Sequence, residues 1–189
     1  MAEQDVGTSA EQASSKAEAL AERGRRLYEQ GDLEEALTCL HQAYGLHKDE
    51  GNQNGVAEAA NDLGVLFTMM RRFSEAETWL REAHRLFVEM QDYDGESHTL
   101  ANLGSMYKEQ GDLKQAAANL QQASDRFHLV GDDERRSATL KVLSQVRLRQ
   151  FRLLQALAAY EAALACQPNP TAFTRFLQRL FALPRRLLG

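Results

Sequence analysis

Apolar and small residues recur along this chain with a period of 40 residues, and successive periods align without gaps. Four columns stand out: one that is mostly glycine, one that is mostly leucine, and two that hold only alanine. Their members are Gly24, Gly64, Gly104 and Ser144; Leu40, Leu80, Leu120 and Tyr160; Ala36, Ala76, Ala116 and Ala156; and Ala43, Ala83, Ala123 and Ala163. The leucine column lies four residues after one alanine column and three before the other, which is helical spacing. No segment alternates apolar and polar residues for long, so the pattern predicts an all-α repeat protein.

The order of these columns resembles the tetratricopeptide repeat, in which L-G-x-x-Y is followed by A-x-x-x-F-x-x-A. The second and third repeats match best, as Leu63-Gly64-x-x-Phe67 with Ala76, Leu80 and Ala83, and as Leu103-Gly104-x-x-Tyr107 with Ala116, Leu120 and Ala123. The first and fourth repeats depart from the pattern, with Arg23-Gly24-x-x-Leu27 and Leu143-Ser144-x-x-Arg147. The resemblance implies a right-handed α-solenoid of helix–turn–helix repeats with a C-terminal capping helix. Because the family unit has 34 residues, the period of 40 indicates a long-helix variant.

The predicted domain organisation has three parts. Residues 1–10 are polar, so we expect a disordered N-terminus. Residues 11–168 are expected to hold four repeats, at 17–48, 57–88, 97–128 and 137–168. Residues 169–189 are expected to form a capping helix and a basic tail, because a repeat array needs a terminal cap.

The pentapeptide EQGDL occurs twice, and we interpret it as the turn between the two helices of a repeat. Gly31 and Gly111 suit the left-handed position that ends the first helix. Asp32 and Asp112 can cap the second helix with their side chains. Repeats two and four are expected to lose both the glycine and the cap, because they carry Arg71-Arg72 and Phe151-Arg152 there. Longer connections are expected between repeats, at 49–55, 91–96 and 130–135.

Composition and charge narrow the class of protein. The 189 residues include 43% hydrophobic and 26% charged side chains, which is ordinary for a soluble domain. The net charge is −5, but residues 1–136 carry −12 (14 basic, 26 acidic) and residues 137–189 carry +7 (8 basic, 1 acidic). The two cysteines are too few for a disulfide framework, and the sequence shows neither a secretory signal nor a membrane-spanning stretch. We therefore expect a cytoplasmic protein.

No residue pattern in the chain indicates catalysis, a cofactor or a bound metal. The five histidines include no pair four residues apart, the spacing that places two metal ligands on one helix face. No glycine-rich loop follows a strand, so a phosphate-binding loop is not expected. The basic excess is confined to one end and lacks interleaved aromatic residues, so nucleic acid is not an expected partner. The sequence therefore predicts a non-enzymatic protein.

The resemblance also implies a binding surface, since ligands of this family usually lie in a concave groove lined by the first helix of each repeat. The family's lining positions correspond to Glu18, Glu22, Arg25 and Tyr28; Glu58, Asn61, Asp62, Val65 and Met69; His98, Asn102, Ser105, Lys108 and Glu109; and Lys141, Gln145, Leu148 and Arg149. One subclass, which includes kinesin light chains, holds an extended peptide backbone with an asparagine just before Leu-Gly. Asn102 matches that position and Asn61 lies one residue from it, although either could instead be a solvated helix residue. We therefore predict an adaptor or scaffold that binds a partner peptide or helix, with repeats two and three central.

The C-terminal segment supports a second hypothesis. Its predicted helix and tail combine apolar with basic residues: Phe173, Arg175, Phe176, Arg179, Leu180, Phe181, Arg185 and Arg186. Besides capping the array, such a surface could join two copies of the chain or attach to an anionic membrane. The alternative function is therefore a self-associating assembly module, with peripheral membrane attachment as the less favoured option.

Overall fold

The structure is a computed structural model that describes the backbone of residues 3–166 and the side chains of residues 16–166. Eight α-helices account for the described backbone apart from short joints. They are α1 (Glu3–Gln30), α2 (Leu33–Asp49), α3 (Gln53–Met69), α4 (Phe73–Met90), α5 (Tyr93–Gln110), α6 (Leu113–Val130), α7 (Asp133–Arg149) and α8 (Leu153–Ala165). Successive pairs of helices correspond to the four predicted repeats, which confirms the all-α helix–turn–helix fold.

The chain divides into two compact units, Met1–Asn102 and Leu103–Gly189, and the division falls within α5. In the first unit, consecutive helices from α1 to α4 pack against one another. In the second unit, α7 packs against both α6 and α8. Each unit has fully buried core residues of its own, such as Leu63 in the first and Leu120 in the second.

Small residues allow the two helices of a repeat to approach closely. A Cβ added at Gly64 would lie 2.5 Å from Leu80 Cγ, and one at Gly104 would lie 2.6 Å from Leu120 Cγ. The members of both alanine columns are at most 1% exposed. The glycine and alanine columns therefore lie where helices touch, as the 40-residue pattern predicted, and the leucines fill the space beside them.

The joints between helices share one backbone feature whatever residue occupies them. Within residues 3–166, seven residues have a positive φ, at positions 31, 71, 111 and 151 and at 51, 91 and 131, in two series with the 40-residue period. Gly31 and Gly111 have φ values of 89° and 96°, which confirms their predicted left-handed conformation. Arg71 and Phe151 adopt the same conformation, with φ values of 56° and 58°, although it disfavours a residue with a Cβ. The packing of the flanking helices therefore sets the turn even without glycine.

The side-chain caps differ between the two EQGDL turns. Asp112 Oδ1 accepts hydrogen bonds from the backbone N–H groups of Lys114 (3.1 Å) and Gln115 (3.0 Å), as predicted. Asp32 makes no capping hydrogen bond, so the cap predicted there is wrong. The ψ of Asp32 is 65°, the same as that of Arg72 and Arg152, which precede α4 and α8 and make no capping hydrogen bond. The ψ of Asp112, which does cap its helix, is 79°. The backbone at Asp32 thus has the geometry of the uncapped joints.

The helices extend beyond the boundaries predicted from the sequence. The connections expected at 49–55, 91–96 and 130–135 shrink to residues 50–52, 91–92 and 131–132, because α2 to α7 each extend over 17 or 18 residues. At the N-terminus, α1 begins at Glu3, where the sequence predicted a disordered segment over residues 1–10. This segment mixes strong helix formers with weak ones such as Val6, Gly7 and Thr8, so its own composition does not account for the longer helix. The predicted capping helix at 169–189 lies outside the described residues.

Candidate functional site

Two asparagines on neighbouring helices of the first unit are joined by a hydrogen bond. Asn102 Nδ2 on α5 donates to Asn61 Oδ1 on α3 over 2.9 Å. Thr99 Oγ1, one turn before Asn102, lies 3.3 Å from the same oxygen. Both asparagines are half-buried and Thr99 is fully buried, so the pair has a fixed position on the protein. The structure therefore brings together the two asparagines that the sequence predicted for the groove.

An ion pair links α1 to α3 beside these asparagines. Arg25 Nη1 lies 2.9 Å from Asp62 Oδ2. Burial raises the pKa of the Asp62 carboxyl, and the Arg25 guanidinium offsets part of that rise. Arg25 also donates to Glu22 over 3.3 Å, so one guanidinium holds two carboxylates. The sequence placed all three residues in the predicted groove, but only the structure shows that they are paired.

A cavity of 210 Å³ opens next to the asparagines and the ion pair. It is lined by Arg25, Glu58, Asn61, Asp62, Phe87, Asp92, Asp94, Gly95 and His98. Glu58 accepts a hydrogen bond from Asn54 over 2.9 Å, and His98 Nε2 lies 3.8 Å from Asp94 Oδ2. Four carboxylates thus face one guanidinium and one imidazole, and the cavity favours a cationic group.

Val65 and Met69 continue the predicted surface along α3. Val65 is half-buried and lines a smaller cavity of 130 Å³, which also includes Tyr28 and Leu40. Met69 is 50% exposed. This end of α3 therefore offers apolar contacts next to the acidic cavity.

Of the remaining predicted groove residues, Glu18 is exposed on α1 and the others belong to the second unit. Lys108 Nζ lies 3.3 Å from Glu109 Oε1, and Arg149 Nη1 donates to the backbone oxygen of Lys108 over 3.3 Å. Ser105 is half-buried, whereas Lys141 and Gln145 are exposed. The contacts described here join Lys108 to Arg149 but do not join the other three residues to them. The role of these residues in binding stays a prediction.

Sequence reasoning missed Thr99. It lies three residues before Asn102, in a column that holds Ala59 in the previous repeat and Thr139 in the next. Its hydroxyl lies 2.9 Å from the Gly95 backbone oxygen as well as 3.3 Å from Asn61 Oδ1, so this fully buried side chain packs directly beside the asparagine pair. A threonine one turn before a candidate ligand-binding asparagine was the signal available in the sequence.

Other predicted features are only partly within the described residues. Among residues 16–166, no group of three His, Cys, Asp or Glu side chains could hold a metal ion. Cys39 and Cys166 are both buried and unpaired. No described helix has the length and apolar character needed to cross a bilayer. The predicted C-terminal surface, from Phe173 to Arg186, lies outside the described residues, and the expected absence of catalysis and cofactors stays a prediction.

Comparison with known proteins supports the repeat assignment. Similar solved structures include BtubC (BKLC) from P. vanneervenii, with a TM-score of 0.73 and 20% identity, covering 82% of this chain and 67% of that one. PilF of Pseudomonas aeruginosa has a TM-score of 0.68 and 20% identity over 92% of this chain and 71% of its own. Repeats of a putative kinesin light chain from Podosopora anserina have a TM-score of 0.73 and 14% identity over 92% of this chain and 89% of theirs. These identities show a shared fold alone.

The comparison with curated proteins finds no match. The tetratricopeptide repeat model, in contrast, matches residues 13–87 and 95–169, which is most of the sequence. Both matched stretches contain the glycine, alanine and leucine columns that form the helix contacts described above. The chain therefore belongs to the tetratricopeptide repeat family.

Proposed function

We propose that this chain is a non-enzymatic adaptor that binds an extended segment of a partner protein. Tetratricopeptide repeats generally mediate protein–protein interactions, and proteins built from them are typically scaffolds without catalytic activity. The binding surface would comprise residues of α1, α3 and the first part of α5. The observation that carries the proposal is the Asn61–Asn102 pair beside an acidic cavity.

The asparagine pair can bind a peptide backbone. A primary amide offers two hydrogens and an acceptor oxygen, which match the C=O and N–H of a peptide unit. Asn102 uses one hydrogen on Asn61, which leaves its second hydrogen and its oxygen for a ligand. Because neighbouring side chains already hold this amide, binding would cost little additional side-chain entropy.

The charge around the pair selects the partner. The lining of the 210 Å³ cavity carries four carboxylates and one guanidinium, a formal charge of −3 with His98 neutral. A lysine or arginine of the partner, next to the peptide unit bound by Asn102, would complement this charge. The proposed ligand is therefore an extended segment with at least one basic side chain.

Peptides selected from a random display library against the purified chain test this proposal. Selected sequences should contain lysine or arginine, and their Kd can be measured by fluorescence anisotropy. The double substitution Asn61→Ala and Asn102→Ala should raise Kd about tenfold or more, because each lost hydrogen bond costs about 1 kcal/mol. Gln122→Ala, which removes an exposed amide on α6, is the matched control.

A second pair of variants tests the charge. Glu58→Gln should raise Kd and weaken its dependence on salt, since it removes one carboxylate from the cavity lining. Glu89→Gln removes an exposed carboxylate on α4 and should change neither. Selected peptides that bind the double asparagine variant as tightly as the original chain, with its helical circular dichroism intact, would exclude this surface.

One observation favours self-association as a second candidate. Leu153, Leu154 and Leu157 on α8 are 62%, 83% and 47% exposed. The residues of α6 that lie 40 positions before Leu153 and Leu157 are Leu113, which is half-buried, and Ala117, which is 2% exposed. This face is therefore better covered on α6 than on α8. Replacement of Leu153, Leu154 and Leu157 by serine tests the α8 face, and removal of residues 171–189 tests whether the C-terminal segment joins two copies. An unchanged stoichiometry by light scattering would exclude association through that segment.

A further inference from the structure

Another cavity, of 420 Å³, lies in the second unit between α6, α7 and α8. Its lining includes three arginines, Arg136, Arg147 and Arg152, and a single carboxylate, Asp125. The formal charge of the lining is therefore +2. Its volume is in the range of sites that enclose small organic groups. None of its lining residues belongs to the peptide surface proposed above, so the two proposals stand or fall separately.

The cavity is open because smaller residues replace the aromatic rings that fill the equivalent space in the first unit. There, the Trp79 ring packs edge-on against Tyr44, with 5.0 Å between centroids, and against His41, with 5.4 Å. The positions 80 residues later are Ala159, Ser124 and Gln121, and all three line the cavity. Two complete periods thus separate a site filled by aromatic rings from a site lined by smaller side chains.

The residues beneath the cavity also change, from apolar to basic. Arg136 and Arg147 occupy the columns of Val56 and Phe67, which are core residues of the first unit at 9% and 3% exposure. Burial lowers the pKa of Arg147, and the positive charge of Arg152 lowers it further. The Arg136 column also holds Lys16 and Glu96, whereas the Arg147 column holds Leu27, Phe67 and Tyr107. One position that otherwise takes an apolar or aromatic side chain therefore holds a cation near two others.

The protein leaves these cations only partly neutralised. Arg136 Nε is buried and has no hydrogen-bond partner among the described residues. Its Nη1 contacts His128 Nδ1 over 2.9 Å, and a histidine cannot supply negative charge. Arg147 and Arg152 each donate to a neutral glutamine, Gln150 and Gln155. Arg136 and Arg147 are half-buried and Arg152 is exposed. Partial burial without an ion-pair partner is unfavourable for the first two cations, and a bound anion would offset that cost.

We propose that this arginine cavity binds a phosphotyrosine side chain of a partner protein. Guanidinium groups bind phosphate oxygens with two parallel hydrogen bonds. A phosphate monoester carries nearly two negative charges at neutral pH, which matches the +2 lining. The space vacated by the aromatic rings of the first unit suits the phenyl ring, with Leu140, Leu143 and Ala159 as its apolar walls.

Nuclear magnetic resonance titration of the full chain with phenyl phosphate tests the site. Backbone and arginine Nε–H signals of α6 to α8 should shift, and phenyl phosphate should bind more tightly than inorganic phosphate. Arg147→Gln and Arg152→Gln should each raise the Kd about tenfold, since a hydrogen bond to a charged group is lost. Lys114→Gln, which removes an exposed positive charge on α6 outside the lining, is the matched control and should leave Kd unchanged.

A steric variant keeps all three arginines. Ala159→Trp places in the cavity the ring that its equivalent, Trp79, provides in the first unit, and it should abolish phenyl phosphate binding. Glycine-flanked peptides with phosphotyrosine, phosphoserine or tyrosine then test the source of the phosphate. The phosphotyrosine peptide should bind most tightly, with the same dependence on Arg147 and Arg152.

Several results would overturn the proposal. Phenyl phosphate binding that is absent, or unchanged in both glutamine variants, would show that the arginines do not form an anion site. Equal affinity for acetate would exclude a site for a dianion. Equal affinity for inorganic phosphate would exclude recognition of the ring. Tighter binding to phosphatidylcholine vesicles with a phosphoinositide than to the phosphotyrosine peptide would assign the site to a lipid instead.

Discussion

Replacement of Phe151 by glycine should stabilise the protein, although it removes a large apolar side chain. Phe151 has a φ of 58°, in the left-handed region, and its equivalents Gly31 and Gly111 show that glycine fits this turn. The phenylalanine is 91% exposed, so loss of its ring removes almost no buried apolar surface. The net effect therefore depends on the backbone alone.

The expected gain in stability for Phe151→Gly is the difference between two opposing backbone contributions. The left-handed conformation costs a residue with a Cβ about 1–2 kcal/mol, and glycine avoids most of this. Glycine also makes the unfolded chain more flexible, which costs about 0.4–1 kcal/mol of stability. The difference predicts a gain of about 0.5–1 kcal/mol for Phe151→Gly. With a urea slope of about 2 kcal/mol per molar, the unfolding midpoint should rise by roughly 0.3–0.5 M.

Urea unfolding followed by circular dichroism measures this shift, and Phe151→Ala is the decisive control. Alanine removes the ring but keeps the Cβ, so its midpoint should stay near that of the original chain. Equal gains for alanine and glycine would refute the backbone argument and assign the effect to the exposed ring. Arg71→Gly should gain less than Phe151→Gly, because the Arg71 guanidinium lies 5.3 Å from the Phe73 ring centroid. The loss of that cation–π contact costs about 0.5–1 kcal/mol.

Three further predictions concern the helix contacts, the side-chain caps and the buried carboxylate. Gly104→Ala should lower the free energy of unfolding by about 1–3 kcal/mol, because the added Cβ would collide with Leu120 of the partner helix. The Cβ added by Gly45→Ala meets nothing within 4 Å, so this variant should be more stable by up to about 1 kcal/mol. Thermal unfolding compares the two variants. Asp112→Ala should cost about 0.5–2 kcal/mol in urea unfolding, and Asp32→Ala, which removes no capping bond, should cost less. Because burial raises the pKa of Asp62, its folded form holds a proton more tightly than the unfolded chain, and its contribution to stability falls as pH rises through that pKa. Asp62→Asn should lack this fall when urea midpoints are compared between about pH 4 and about pH 7.

The repeat period and the helix contacts could be predicted from the sequence because both depend on small residues in fixed columns. Gly64 and Gly104 face leucines across a helix crossing, and any larger residue would collide there. The joints were less predictable. Phe151 has no local preference for a positive φ, yet the helices on either side impose one. Helix length was also misjudged, since asparagine, aspartate and glycine at 49–55 and 91–96 indicated loops that packing converts largely into helix.

The sequence predicted Asn61, Asp62, His98 and Asn102 of the candidate binding surface, but not Phe87, Asp92, Asp94 or Thr99. The family pattern placed Asn61, Asp62 and Asn102 on one surface, and the structure shows which atoms of each are already engaged. The arginine cavity was not predicted, because each of its arginines taken alone is typical of a solvated helix or turn residue. Only the comparison of Arg147 with Phe67 in the same column, together with the coordinates, shows that a core position has become basic.

The short joints also limit how a chain of this kind can change length during evolution. Each described joint has only two or three residues between helices, so it cannot easily accommodate an added residue. An insertion of one residue within α4 would rotate the rest of the helix by about 100° about its axis and move Ala83 out of its contact. Gain or loss of a whole 40-residue period would leave every column in place. Related chains should therefore differ in length by whole repeats or at their ends.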